Sequence, residues 1–454
     1  MTKTIDRKWW VLIAIGVGSF MAALDGSVVN TILPVLRGAF QSDVAAIEWV
    51  VTIYLLVLSG LLLTFGRLGD LRGHKSLYVW GFVVFVASSA LCGAAWSSTA
   101  LIVFRGIQAI GAAMLASNSP AIVTGNFPPE QRGRTFGLIS TMTYLGLTVG
   151  PSLGGWLTQA FGWRTVFYIN VPVGALAIAL SLIFIPKDAP AESGQRFDIL
   201  GAALFLSGLT ALMLGLNKGA GWGWTSPSVL GLLITAFILL AVFIWVELHS
   251  NAPMLDLSLF RVPLFSISTA NAVLNYICVY TIIFLMPFYL IQGRGLNPAE
   301  AGLLLTAQPV IMAIAAPLSG ALSDKFGSRM LGMLGMGVLA LGVFLLSRIG
   351  AETNLWAVAG ALVIAGIGTG TFISPNTSAL MGSAPKARQG IASGVQAVAR
   401  NFGMVLGIGL AGAIFTTHLE QNTAQALFQG IDVAFLAAAG VAVLGFVMSA
   451  IKEK

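Results

Sequence analysis

Charge is what this sequence has least of. Only 9% of its 454 residues are charged, against about 25% in an ordinary soluble domain. With 57% of the chain hydrophobic, too little polar surface remains to face water on all sides. Cysteine is almost absent. Cys92 and Cys278 each lie in an apolar run without a CxxC or Cys/His neighbour, so neither a disulfide framework nor a metal site is expected. The three histidines, His74, His249 and His418, fall in loops or near helix ends without metal-ligand spacing. No glycine-rich GK[ST] loop is present, so ATP is not the expected energy source. No segment between apolar runs is long enough for a soluble catalytic or signalling domain, which argues against a receptor. Alternating short segments, the mark of a transmembrane β-barrel, are missing too.

Long apolar runs dominate instead. Windows of spanning length fall at 11–33, 47–66, 76–96, 99–123, 135–159, 165–186, 199–217, 226–247, 263–291, 301–321, 330–348, 354–376, 390–416 and 433–451. In hydrocarbon, backbone amides must be satisfied within a segment, so such runs predict an all-α polytopic membrane protein of fourteen helices. Lys3, Arg7 and Lys8 precede Trp9, Trp10 and the first run. That run is too long for a signal-peptide core and lacks a clear cleavage site, so it reads as an uncleaved first span.

An even count puts both termini on one side. With that side cytoplasmic, seventeen of the twenty-four basic residues are cytoplasmic and five are opposite, with Arg105 and Arg400 inside spans. Basic residues concentrated in short loops on one side fix membrane topology. The same scatter argues against nucleic acid as the reason for the net charge of +7.

The chain carries an internal repeat. Gly66, Asp70, Gly73 and Lys75 follow the second helix, and Gly320, Asp324, Gly327 and Arg329 follow the tenth at the same spacing. Both are turns on the basic side, so the repeat is parallel, with two six-helix halves about an axis along the membrane normal. The division expected is 1–186 and 263–454 for the halves, with two additional helices and their linkers at 187–262.

These motifs, taken together, make the chain resemble the major facilitator superfamily, within it the fourteen-helix branch of drug:proton antiporters. The resemblance covers essentially the whole chain. It implies a midplane substrate cavity between the halves, a proton gradient as energy source, no cofactor, a monomer, and a bacterial inner membrane. The turn from Gly66 to Lys75 matches the signature between helices two and three. There the resemblance implies that Asp70 latches the halves together near Arg388 to Gly390, with Gly66, Arg72 and Gly73 completing the turn and Asp324 and Gly327 as counterparts. Leu71 stands where a basic residue is usual. A capped turn without a gating role is the plainer reading of the same residues.

Leu24 to Pro34 resembles the first-helix motif of this branch and contains Asp25 and Asn30. Leu101 to Ala113 resembles the fourth-helix motif and contains Arg105 and Gln108. Asp25 lies ~21 Å in from Val11 at 1.5 Å per residue, and Arg105 ~9 Å in from the other face, so the two share a depth. An ionisable group at such depth is a functional candidate. A proton-exchanging Asp25 paired with Arg105 is one reading, and a permanent structural ion pair is the other.

Gly146, Gly150, Pro151, Gly154 and Gly155 match the fifth-helix motif that the resemblance associates with antiporters. Glycines four apart also suit plain helix packing. Gly162 to Gly174, with Asn170, is a further match to the fourteen-helix branch. In the second half Asn271, Asn275, Tyr276, Tyr280, Gln308, Gln396 and Arg400 are candidates for the cavity lining, with Asn30 and Gln108 from the first half. Taken singly, each Asn or Gln reads as well as an interhelical hydrogen bond. Arg400, ~15 Å into its helix, has no buried acid nearby in sequence and is expected to meet water, an anionic group or the substrate.

The function expected is proton-coupled export of a small amphiphilic or drug-like molecule. The alternatives are a facilitator or proton symporter of a metabolite on the same fold, and a membrane-embedded enzyme. The last would need a nucleophile or metal beside Asp25, and none is found.

Overall fold

The computed structural model describes residues 6–42, 44–187, 198–250, 255–296, 298–419 and 424–450. Lys3, Arg196, Lys452 and Lys454 of the charge argument lie outside the described residues, as does most of the linker after Lys187. Among the described residues the chain is helical and holds no strand. The first half comprises α1 (Arg7–Phe40), α2 (Val44–Arg72), α3 (His74–Gly93), α4 (Ser98–Asn126), α5 (Pro129–Phe161), the short α6 (Thr165–Tyr168) and α7 (Asn170–Phe184). An additional pair follows, α8 (Ile199–Trp222) and α9 (Pro227–His249). The second half comprises α10 (Pro263–Pro287), α11 (Pro298–Leu305), α12 (Ala307–Phe326), α13 (Ser328–Ser347), α14 (Leu355–Ser383), α15 (Gln389–Leu419) and α16 (Ala424–Ala450).

Thirteen helical segments among the described residues are long and apolar enough to cross a bilayer, rather than the fourteen expected. The difference is α5, which has 33 residues but carries glycine, threonine and serine along much of its length. It is wedged against α1 on one side and α12 on the other. Its small and polar residues line the faces packed on those two helices, while Leu145, Leu147, Val149 and Trp156 are exposed. Glu247, the last residue of the apolar window 226–247, is buried within α9 and accepts from the Leu255 amide at 3.0 Å.

One apolar cluster runs from the first half through α8 and α9 to α10, α14 and α15, and a second fills the other half with Tyr144 of α5 joining it. The halves meet along two seams, α2 with α15 and α5 with α12. α8 lies against both α2 and α15, flanking the first seam. At the repeat turns Gly73 (φ 95°) and Gly327 (φ 87°) both take left-handed backbone. Residues with a Cβ rarely adopt that conformation, which explains why both copies keep glycine there.

Both seams close at the same end of the molecule, where α1 begins. Around that end cluster Arg7 on the Phe184 carbonyl, Lys75 on the Leu182 and Ile185 carbonyls, and Trp9 against Phe127. We call it the basic face.

Candidate functional site

Asp25 sits on α1 with 1% exposure, facing Arg105 on α4, also 1% exposed. Arg105 donates to one carboxylate oxygen at 2.6 Å. The other oxygen accepts from Gln108 at 3.0 Å and from Asn170 at 2.8 Å. Arg105 also donates to the Gln108 side-chain oxygen at 2.7 Å and to the Val50 carbonyl at 3.3 Å. Its guanidinium lies 4.2 Å above the Tyr54 ring. Asn170 is itself held by Ser89, whose hydroxyl donates to the Phe167 carbonyl. The spacing of Arg105 and Gln108 puts both on one helix face, and the break between α6 and α7 presents Asn170 at the same height. A buried carboxylate survives only with such partners.

The α5 motif fixes the height of Asp25. A side chain at Gly146 would strike the Phe20 carbonyl, one at Gly150 the Ser27 side chain, and one at Gly154 the Val28 side chain. The strip therefore seats α1 over the turns that carry Asp25. Pro151 has no N–H, so it leaves the Leu147 carbonyl without its helical donor. The Ser27 hydroxyl donates to that carbonyl at 3.0 Å, two residues from Asp25. Pro151 and Gly155 themselves point away from α1 and are exposed.

A second polar group lies where the halves face each other. Arg400 on α15 is half-buried, and its Nε atom is buried without a hydrogen-bond partner. Tyr276 on α10 packs against α15 at Gly403, one turn from Arg400. Tyr280 of α10, Tyr144 of α5 and Tyr54 of α2 lie within electrostatic reach of Arg400. Tyr54 thus touches the Asp25–Arg105 pair and lies within electrostatic reach of Arg400.

At the basic face the two repeat aspartates act across the seams. Asp70 accepts from the Gly390 and Ile391 amides at the start of α15, at 2.8 and 3.0 Å. Asp324 accepts from the Gly133 and Arg134 amides near the start of α5, at 2.9 and 3.0 Å. Side chains at Gly66 and Gly390 would strike each other's carbonyls, and the same holds for Gly133 and Gly320. The helices touch there backbone to backbone. Arg72 is exposed at this turn. His74 stands beside Asp70 instead, at 3.4 Å, with its other ring nitrogen 2.8 Å from the Asn118 side chain. Arg388 pairs with Asp256, on the segment after α9, and not with Asp70.

The family model described as Major Facilitator Superfamily matches residues 15–273 and 269–453. The chain belongs to the major facilitator superfamily. It is a membrane transporter of small molecules. A protein named riboflavin transporter RibZ, of Clostridioides difficile, is 34% identical over 92% of this chain and 90% of its own length. A protein named multidrug resistance protein Stp, of Mycobacterium tuberculosis, is 33% identical over 90% of this chain and 76% of its own. The crystal structure titled human organic anion transporter MFSD10 superposes with a TM-score of 0.71, covering 98% of this chain and all of that one. At 16% identity that likeness is one of fold.

Not all the sequence-predicted positions of this facilitator fall together. Gln108 belongs to the Asp25 network rather than to an open wall. Asn30 is exposed on α1. Asn271 donates to Ser449 of α16 and Asn275 to the Met336 sulfur of α13, so both turn inward to their own bundle. Gln308 is buried beside Gly366 of α14. Gln396 donates to Thr377 of α14 at 2.6 Å. Tyr276, Tyr280 and Arg400 do converge. Asn170 entered only as part of the match from Gly162 to Gly174, without a place beside Asp25. Residues not singled out from sequence are Tyr54, Tyr144 and Ser89 at the two polar groups, His74 at the latch, and Asp432. The last is an acid inside α16 that lies just outside the window expected for the final helix.

Proposed function

We propose that this facilitator exports a small amphiphilic or drug-like molecule across the bacterial inner membrane in exchange for protons, with Asp25 as the proton carrier. The observation that carries the reading is the Asp25–Arg105 pair, held dry at mid-depth and in contact with Tyr54 at the meeting of the halves. As a pair it is neutral. Protonating Asp25 leaves Arg105 without its counter-charge in a low-dielectric site, so the two protonation states favour different arrangements of α1 and α4. We take the basic face as cytoplasmic. With both seams shut there, the structure is the state closed to the cytoplasm, and Asp25 exchanges its proton when the halves rock and water reaches α1 from one side at a time. Relatives named for multidrug resistance and for tetracenomycin C resistance and export support the outward direction. So does the antiporter-type strip of α5, which grips α1 around Asp25. One chain supplies both halves of the path, so a monomer suffices, and no cofactor is invoked.

The test uses vesicles with an acidic lumen and a pH-sensitive dye, offered candidate drugs one at a time. Wild type releases protons when a substrate is added, and Asp25→Asn does not. Undiminished proton release in the variant removes Asp25 from the mechanism. The relative named as a riboflavin transporter favours a second reading, gradient-independent movement of a metabolite. Equal transport after the gradient is collapsed would establish that reading instead.

A further inference from the structure

We infer that the transported molecule carries an anionic group on a planar, aromatic body, and that Arg400 receives that group in the niche it shares with Tyr276, Tyr280, Tyr144 and Tyr54. The inference rests on the transport reading but not on proton coupling.

A charge tally across the interface leads to it. Two arginines lie at mid-depth. Arg105 is fully answered by Asp25, Gln108 and the Val50 carbonyl. The acceptor capacity of Asp25 is in turn taken up by Arg105, Gln108 and Asn170. Arg400 has no such answer. Among the described residues no carboxylate stands within ion-pair distance of it, and its buried Nε has no acceptor. A guanidinium does not shed its proton in a protein. The interface between the halves therefore carries one uncompensated positive charge, about 16 Å along α15 from its start.

A charge held at mid-depth of the membrane without an acid beside it is costly to keep. An ion placed only to tie two helices together would be expected to have its acid within the bundle, as Arg105 has. Around Arg400 stand phenols instead, with Tyr276 packed against α15 one turn away and Tyr280, Tyr144 and Tyr54 within electrostatic reach. Tyrosines supply flat apolar area with a hydroxyl at the rim, suited to stacking on an aromatic body. The planar fork of arginine matches a carboxylate or phosphate through paired hydrogen bonds. A cationic substrate would meet repulsion in the same place.

The experiment uses purified protein in proteoliposomes and three probes that share one ring system: 2-naphthoate, 2-naphthamide and 2-naphthylmethylammonium. Binding is read by thermal shift and movement by release of radiolabel. Wild type is expected to bind and move the carboxylate in preference to the other two. Arg400→Gln should lower kcat/KM for the carboxylate at least tenfold and change that for the amide less than twofold. Arg400→Lys, which keeps the charge but loses the fork, should fall between. Tyr276→Phe gives a second probe of the niche should Arg400→Gln fail to fold, and it too should penalise the carboxylate most. Preference for the ammonium probe, indifference to the carboxylate, or an equal loss for all three in Arg400→Gln overturns the assignment. Carboxylate selection that persists with the gradient collapsed and with Asp25→Asn would sink proton coupling while leaving the anion site in place.

Discussion

Removing one member of the Asp25–Arg105 pair strands the other where water does not reach. Breaking a buried pair from one side costs on the order of 3–5 kcal/mol. Arg105→Gln is accordingly expected to lower the melting temperature sharply, because Asp25 then keeps only Gln108 and Asn170 as donors. The double variant Asp25→Asn/Arg105→Gln removes both charges and should regain most of that loss while still failing to couple protons. Melting curves of the single and double variants in detergent check this. If the double variant is no more stable than Arg105→Gln, the pair does not act as a unit. Asp25 was readable from sequence because acids deep in apolar runs are rare. The contact of Asn170 with Asp25, and the places of Tyr54 and Tyr144, were not, because polar amides and aromatics occur throughout such helices and only their neighbours give them a role.

At the scale of the helix, two prolines explain two bonds. Pro151 frees the Leu147 carbonyl, and Ser27 of α1 answers it. Pro317 of α12 frees the Ala313 carbonyl in the same way, and Thr141 of α5 answers it at 2.7 Å across the seam between the halves. In each case a helix break becomes a tie to a neighbour, since a carbonyl left unpaired in a membrane core is costly. Ser27→Ala should therefore destabilise by roughly 0.5–1.5 kcal/mol, the net worth of one hydrogen bond. Adding Pro151→Ala restores the helical N–H and should recover most of it. Thermal unfolding of the two variants is the measurement. A Ser27→Ala protein as stable as wild type would mean that the Leu147 carbonyl finds another donor.

At the scale of the whole molecule, a duplicated contact ties the two halves at the basic face. Asp70 and Asp324 each hold two backbone amides of the opposite half, and each sits four residues after a glycine that lets the backbones touch. Charge-assisted bonds of this kind contribute about 1.5–3 kcal/mol each. Asp70→Asn or Asp324→Asn alone should shift the population toward the open basic face by about ten- to a hundredfold, and both together by more. Spin-label distances across that face report it, and distances unchanged in the double variant would show that the seams close without the aspartates. The partner of Asp70 at the start of α15 was legible from the motif. The use of the Gly390 amide rather than the Arg388 side chain was not, because the pairing of Arg388 with Asp256 brings together residues far apart in the chain.

The sequence by itself determined that the chain lives in a bilayer, that it is built of helices in two parallel repeats, and that Asp25 and Arg105 share a depth. Each of these follows from local quantities: run length, loop charge, motif spacing and rise per residue. Only the tertiary structure decided which way each helix turns its polar face. Asn271 and Asn275 are one turn apart on one face of α10 and Tyr276 and Tyr280 one turn apart on another; packing alone turns the first pair into its own bundle and sets Tyr276 against α15 beside Arg400. Helix rotation in a membrane is set by packing against neighbours, and those neighbours come from distant parts of the chain.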